Sequence, residues 1–135
     1  MHKKFKILIL ITAIMGATAV IMGAFGAHIL ADKLEPKSLA AFKTGVLYHF
    51  IHTLAIFCTA LLYRIYRIKG LFYVAMFFLG GIFLFSGSLY LLALKDIIGI
   101  TSTKLLGPLT PIGGLALVGS WAAIFFTVIK IKTVE

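Results

Sequence analysis

The distribution of charge constrains this chain more than any other feature. Its 13 Lys and Arg and 4 Asp and Glu leave four stretches with no charged side chain: Ile7–Ala31, Thr44–Tyr63, Gly70–Leu94 and Leu105–Ile129. These stretches are 25, 20, 25 and 25 residues long and hold 95 of the 135 residues. An α-helix rises ~1.5 Å per residue, so roughly 20 apolar residues cross a ~30 Å hydrocarbon layer. Each stretch is long enough. A soluble chain of this size could not hide four of them, because most of its residues must meet water.

The expected class is therefore all-α, a four-transmembrane-helix bundle in a single integral membrane domain over residues 1–135. Backbone amides in lipid must be satisfied within each segment, which selects helices. The spans are expected at about 7–31, 44–63, 70–94 and 108–129. The net charge of +9 sits in short connections and tails, where membrane topology accounts for it, so nucleic acid is not an expected partner. Cys58 is the only cysteine and lies inside the second stretch, where it reads as a small core residue. His2-Lys3-Lys4-Phe5-Lys6 and Ala17-Thr18-Ala19 imitate a signal peptide. The apolar run then continues to Ala31, too long for a cleaved segment, so a retained helix is expected.

Basic residues set the expected orientation. The N-terminal tail carries three, the first connection three, the second three, the third two and the C-terminal tail two. With both tails inside, eight Lys and Arg lie inside and five outside. That bias predicts cytoplasmic N- and C-termini in a multi-pass protein of the cell membrane.

Pro36 predicts a helix restart after Asp32-Lys33-Leu34-Glu35. Leu39, Phe42 and Val46 then form an apolar stripe opposed by Lys37 and Lys43, a short interfacial amphipathic helix leading into the second span. Small residues mark expected close packing: Ala19, Gly23 and Ala27 on the first helix, Gly87 on the third, Gly113 and Gly114 on the fourth. Pro108 and Pro111 predict irregular backbone before the fourth helix. On this reading Gly114→Leu destabilises more than Leu117→Ala, because it forces two backbones apart.

Four strings occur in order along the chain: Gly23-Ala24-Phe25-Gly26-Ala27-His28, Tyr48-His49-Phe50-Ile51-His52-Thr53-Leu54-Ala55, Phe85-Ser86-Gly87-Ser88-Leu89-Tyr90-Leu91, and Thr110-Pro111-Ile112-Gly113-Gly114. With them the chain resembles the family of small bacterial inner-membrane proteins typified by YwdK and YgdD, a domain of unknown function. The resemblance implies a four-helix membrane protein and supplies no activity or substrate.

The polar residues within the spans converge in depth. Measured from charged flanks at ~1.5 Å per residue, His28, His49, Tyr90 and Thr110 fall about 6–9 Å deep, and His52 and Ser86 about 13–14 Å. Under the expected orientation this cluster lies in the outer half of the bilayer. Three readings fit it. Hydrogen bonds among His28, His49, His52, Ser86, Tyr90 and Thr110 can tie the helices together. The same groups can form an outward-facing site for a small ligand or lipid, or part of an oligomeric transporter or channel. His28, His49 and His52 can also be read as metal or haem ligands. Their spacing is not the usual i, i+4, and no acid joins them, so no metal or cofactor is expected. Ser88 points away from Ser86, toward the preceding turn or another neighbour.

All four acids, Asp32, Glu35, Asp96 and Glu135, lie outside the spans. A carboxylate proton relay and a Ser-His-Asp triad are therefore not expected, and no glycine loop is followed by the Lys that phosphate binding needs. Membrane lipids are the expected partners, with a second copy or another membrane protein as a further possibility. Enzymatic activity is not expected.

Overall fold

A computed structural model describes residues 2–131. Its four helices are α1 (His2–His28), α2 (Pro36–Tyr66), α3 (Lys69–Ile98) and α4 (Leu106–Val128). They are 27, 31, 30 and 23 residues long, and all are long and apolar enough to cross a membrane. No strand occurs among the described residues.

Each helix ends for a local reason. α1 stops at His28, and Leu30 turns back into the bundle, fully buried with Phe42 and Ala93. Leu30 thus anchors the α1–α2 connection rather than extending the span. α2 starts with Pro36 in its first turn, where a missing N–H costs nothing. The amphipathic stretch forms the opening turns of this same helix: Phe42 is buried while Lys37 and Lys43 are exposed. α2 ends at Arg67 and α3 at Gly99, both in the left-handed conformation, with φ of 57° and 72°.

α4 departs from the sequence reading. It runs unbroken from Leu106 through Pro111. Pro108 sits in the first turn, where proline is tolerated. Pro111 removes only the bond to the carbonyl of Gly107, near the exposed helix start.

The helices alternate in direction, and neighbours in sequence pack together. Gly26 lies against Phe42 and Gly23 against Val46 between α1 and α2. Gly45 lies against Tyr90 between α2 and α3, and Gly81 against Leu117 between α3 and α4. α2 and α3 form the central pair. On α3 the residues meeting α4 (Phe77, Gly81, Phe85) and those facing α1 (Phe83, Ser86, Tyr90) point to opposite sides at 3.6 residues per turn. α1 and α4 therefore flank the central pair on opposite faces.

Two apolar cores result. One joins Leu8, Met15, Ile56, Tyr63, Leu71, Phe78, Ile82 and Leu117; the other joins Leu30, Phe42 and Ala93. His49 lies buried at the junction between them.

Candidate functional site

The polar residues of the spans form two separate ties, not one cluster. The first joins α1, α2 and α3. His49 Nδ1 is 3.1 Å from the Tyr90 hydroxyl, and His49 Nε2 is 3.5 Å from the Thr18 hydroxyl. The network assigns the protons. Thr18 donates to the carbonyl of Met15 at 2.9 Å, so its oxygen is left to accept. Nε2–H then points to Thr18, and Nδ1 accepts the Tyr90 proton. His49 sits here because Gly45, one turn earlier on α2, lets the Tyr90 ring pass: a Cβ at Gly45 would stand 2.9 Å from it. The Tyr90 ring also packs on Phe42, with centroids 4.9 Å apart.

The second tie joins α3 and α4. Ser88 donates to the carbonyl of Phe85 at 2.9 Å, and Thr110 donates to Ser88 across a 2.7 Å contact. Ser88, not Ser86, is thus the partner of Thr110.

The other expected site residues fall elsewhere. His28 is exposed at the end of α1 and takes no part. His52 donates Nδ1–H to the carbonyl of Tyr48 at 2.7 Å and lies among the rings of Tyr48, Phe78 and Trp121. A three-residue step turns a helix by about 300°, so His49 and His52 differ by about 60° in direction. At the seam of the central pair that angle sends His49 toward α1 and His52 toward α4. His28, His49 and His52 do not come together. Among the described residues no three His, Cys, Asp or Glu side chains gather at metal-binding spacing.

The contribution of α1 is Thr18, which the sequence reading treated only as part of an imitation cleavage site. An antiparallel register would have found it. Gly26 opposite Phe42 and Gly23 opposite Val46 place the partner of His49 close to residue 20.

The packing positions sort in the same way. Ala19 is buried and Gly23 is half-buried against Val46, but Ala27 is exposed. At Gly113 an added Cβ would collide with the backbone of Leu84 and Phe85, so α4 crosses α3 at this residue. Gly114 is turned by about 100°. Its nearest neighbour, the Phe85 ring, is at an ordinary 3.6 Å. A Cβ added at Gly87 would meet nothing within 4 Å.

Gly87 instead faces a cleft of about 330 Å³ between α1 and α3. Ile14, Met15 and Met22 form one wall and Ile82 and Phe83 the other; Thr18, His49, Ser86 and Tyr90 also border the cleft, but its exposed lining is almost wholly apolar. Ile14 and Phe83 are both exposed, so the cleft opens sideways toward lipid. Another recess of about 370 Å³ lies at the helix ends, lined by Glu35, Lys37, Lys95, Asp96 and Thr103. Its charges lie mostly at the exposed surface, as expected of solvated helix ends.

The profile described as "Protein of unknown function (DUF423)" matches residues 22–114, a range that contains all four strings quoted above. The chain belongs to the DUF423 family. Its relatives are named as membrane proteins. It is 39% identical over 126 residues to the UPF0382 membrane protein YwdK of Bacillus subtilis (strain 168), covering 93% of this chain and 98% of YwdK. It is 36% identical over 128 residues to the UPF0382 inner membrane protein YgdD of Escherichia coli (strain K12), covering 94% and 92%. The UPF0382 membrane protein SH2409 of Staphylococcus haemolyticus (strain JCSC1435) is 34% identical over 125 residues, covering 93% and 97%. No solved structure matches the chain. With four spanning helices and these relatives, the protein is a small polytopic membrane protein.

Proposed function

We propose that this is a multi-pass protein of the bacterial inner membrane, with both tails cytoplasmic, whose α1–α3 cleft binds a lipid chain or another small apolar molecule entering from the bilayer. The His49–Tyr90–Thr18 tie holds the three helices at the base of that cleft. One observation carries this reading: an open recess of about 330 Å³ with an almost wholly apolar lining, where helix packing could have closed the gap. Recesses of about 300–1,000 Å³ lined predominantly by apolar side chains are the usual form of small-molecule sites. Interhelical hydrogen bonds alone account for His49 and Tyr90 but not for the recess beside them.

Native mass spectrometry of protein released from membranes tests the reading. The parent is expected to retain a bound molecule that Gly87→Leu loses, because leucine there grows into open space within the cleft. Equal retention by parent and variant would refute it.

A further inference from the structure

His52 carries one nitrogen with nothing to bind. The Tyr48 carbonyl can only accept, so the 2.7 Å contact fixes a proton on Nδ1. In a neutral ring Nε2 then holds a bare lone pair. Among the described residues no hydrogen bond reaches it, whereas both nitrogens of His49 are used. Ser86 Oγ is the one sealed side-chain polar atom without a partner among the described residues. His52 Nε2 is therefore not sealed, although the residue as a whole is only 6% exposed.

The ring borders a groove of about 440 Å³ between α2 and α4, together with Tyr48, Ile51, Gly114, Leu117, Val118 and Trp121. This groove lies on the opposite side of the central pair from the α1–α3 cleft, and its lining, unlike that of the cleft, includes exposed polar atoms. The imidazole is held in place by its neighbours. The Tyr48 ring stacks on it with centroids 5.6 Å apart, and the Phe78 and Trp121 rings stand at 5.8 and 6.3 Å. A fixed ring with one free nitrogen loses little conformational entropy on meeting a partner.

Chemistry and depth restrict that partner. A lone pair needs a donor, and phospholipid esters and phosphates only accept. His52 stands nine residues inside Lys43 and 12 inside Arg64. That is roughly 13–14 Å and 18 Å of helix rise, well inside a ~30 Å hydrocarbon layer. An ammonium donor would carry charge to that depth. Ile51 and Val118 are exposed at the edge of the groove, so entry is from lipid. The donor therefore belongs to an uncharged molecule with an apolar body.

We propose that the α2–α4 groove takes a neutral, lipid-soluble hydroxyl compound whose O–H donates to His52 Nε2. This site is separate from the α1–α3 cleft and does not rest on it. The assignment concerns binding alone.

Trp121 is the only tryptophan of the chain and lines the groove, so it reports occupancy. The probes are 2-bromododecan-1-ol and its methyl ether, which differ in the hydroxyl proton and carry a bromine that quenches tryptophan on contact. The full chain is held in nanodiscs of dioleoyl phosphatidylcholine, a lipid without hydroxyl or N–H groups. A free alcohol rests with its hydroxyl at headgroup level, so quenching without a site favours the ether. The parent is expected to reach half-quenching at about tenfold lower content of the alcohol than of the ether, the factor that one net hydrogen bond supplies. His52→Phe keeps a ring and removes the lone pair, and should abolish that preference. Gly114→Leu is an independent arm: a Cβ there has only the Phe85 ring near it, at 3.6 Å, and the longer side chain fills the groove. It should abolish the preference too, while Gly87→Leu, on the far side of the central pair, should preserve it. Equal half-quenching of the parent by the two probes, or a preference that survives in His52→Phe or Gly114→Leu, would overturn the assignment. Loss in Gly87→Leu with retention in Gly114→Leu would overturn it as well, and would move the binding to the α1–α3 cleft.

Discussion

At the scale of the residue, the decisive group is the His49 imidazole. It is buried between two apolar cores and reaches two other helices through its two nitrogens. Interhelical hydrogen bonds in membranes contribute about 0.6–2 kcal/mol each. Tyr90→Phe is therefore expected to lower stability by about that amount, because it keeps the ring and removes only the hydroxyl. The measurement is a reversible unfolding titration in mixed detergent micelles. A double-mutant cycle between His49→Ala and Tyr90→Phe should show coupling of about 0.5–1.5 kcal/mol. The pair His52→Ala and Tyr90→Phe should be additive, since His52 bonds only its own helix. Coupling of equal size in both cycles would dissolve the distinction between the two histidines. Arg67 makes a second prediction at this scale. Its φ of 57° places a side chain where only glycine is at ease. Arg67→Gly should hold or raise the unfolding midpoint, whereas Gly99→Ala at φ 72° should lower stability by about 1 kcal/mol.

At the scale of the element, the α3–α4 crossing depends on one glycine. The two glycines 113 and 114 are equivalent in the sequence, and only helix rotation separates them. Gly113 meets the backbone of α3, while Gly114 meets a ring that can yield. Gly113→Ala is expected to destabilise by about 1–3 kcal/mol, the usual cost of overpacking a filled contact. Gly114→Ala should stay within about 0.5 kcal/mol of the parent. The comparison of Gly114→Leu with Leu117→Ala must also be recast. Leu117 is not at a lipid-facing surface; it is buried against Gly81 of α3. Its truncation opens a true cavity, which costs about 2–5 kcal/mol. Thermal unfolding of the four variants ranks them, and a Gly113→Ala protein as stable as the parent would contradict the crossing.

At the scale of the whole molecule, topology is the property to test, and it follows from the placement of Lys and Arg in the connections. The α2–α3 connection and the N-terminal tail are expected to be cytoplasmic, and the α1–α2 connection to face out. With Cys58 replaced, cysteines at Lys4 and Arg67 should resist an impermeant thiol reagent in intact cells, while one at Glu35 should react. The reverse pattern would turn the protein over and move the His49 level to the cytoplasmic half of the bilayer.

The sequence by itself determined that four helices cross a membrane, because charge is excluded from hydrocarbon and its absence over 20 or more residues is visible one residue at a time. It also carried the family, whose strings are contiguous. It could not choose the partners of the polar groups. A depth measured from charged flanks placed His28, His49, His52, Ser86, Tyr90 and Thr110 in adjoining layers, but it held no information about which way each helix is rotated. Tertiary packing supplied that rotation. With Gly26 on Phe42, Gly45 on Tyr90 and Gly113 on α3, a 60° difference separates His49 from His52, and Thr18 replaces His28. Rotation depends on which small residues let neighbouring helices come close. Such contacts join positions far apart in the chain and therefore exist only once the chain is folded.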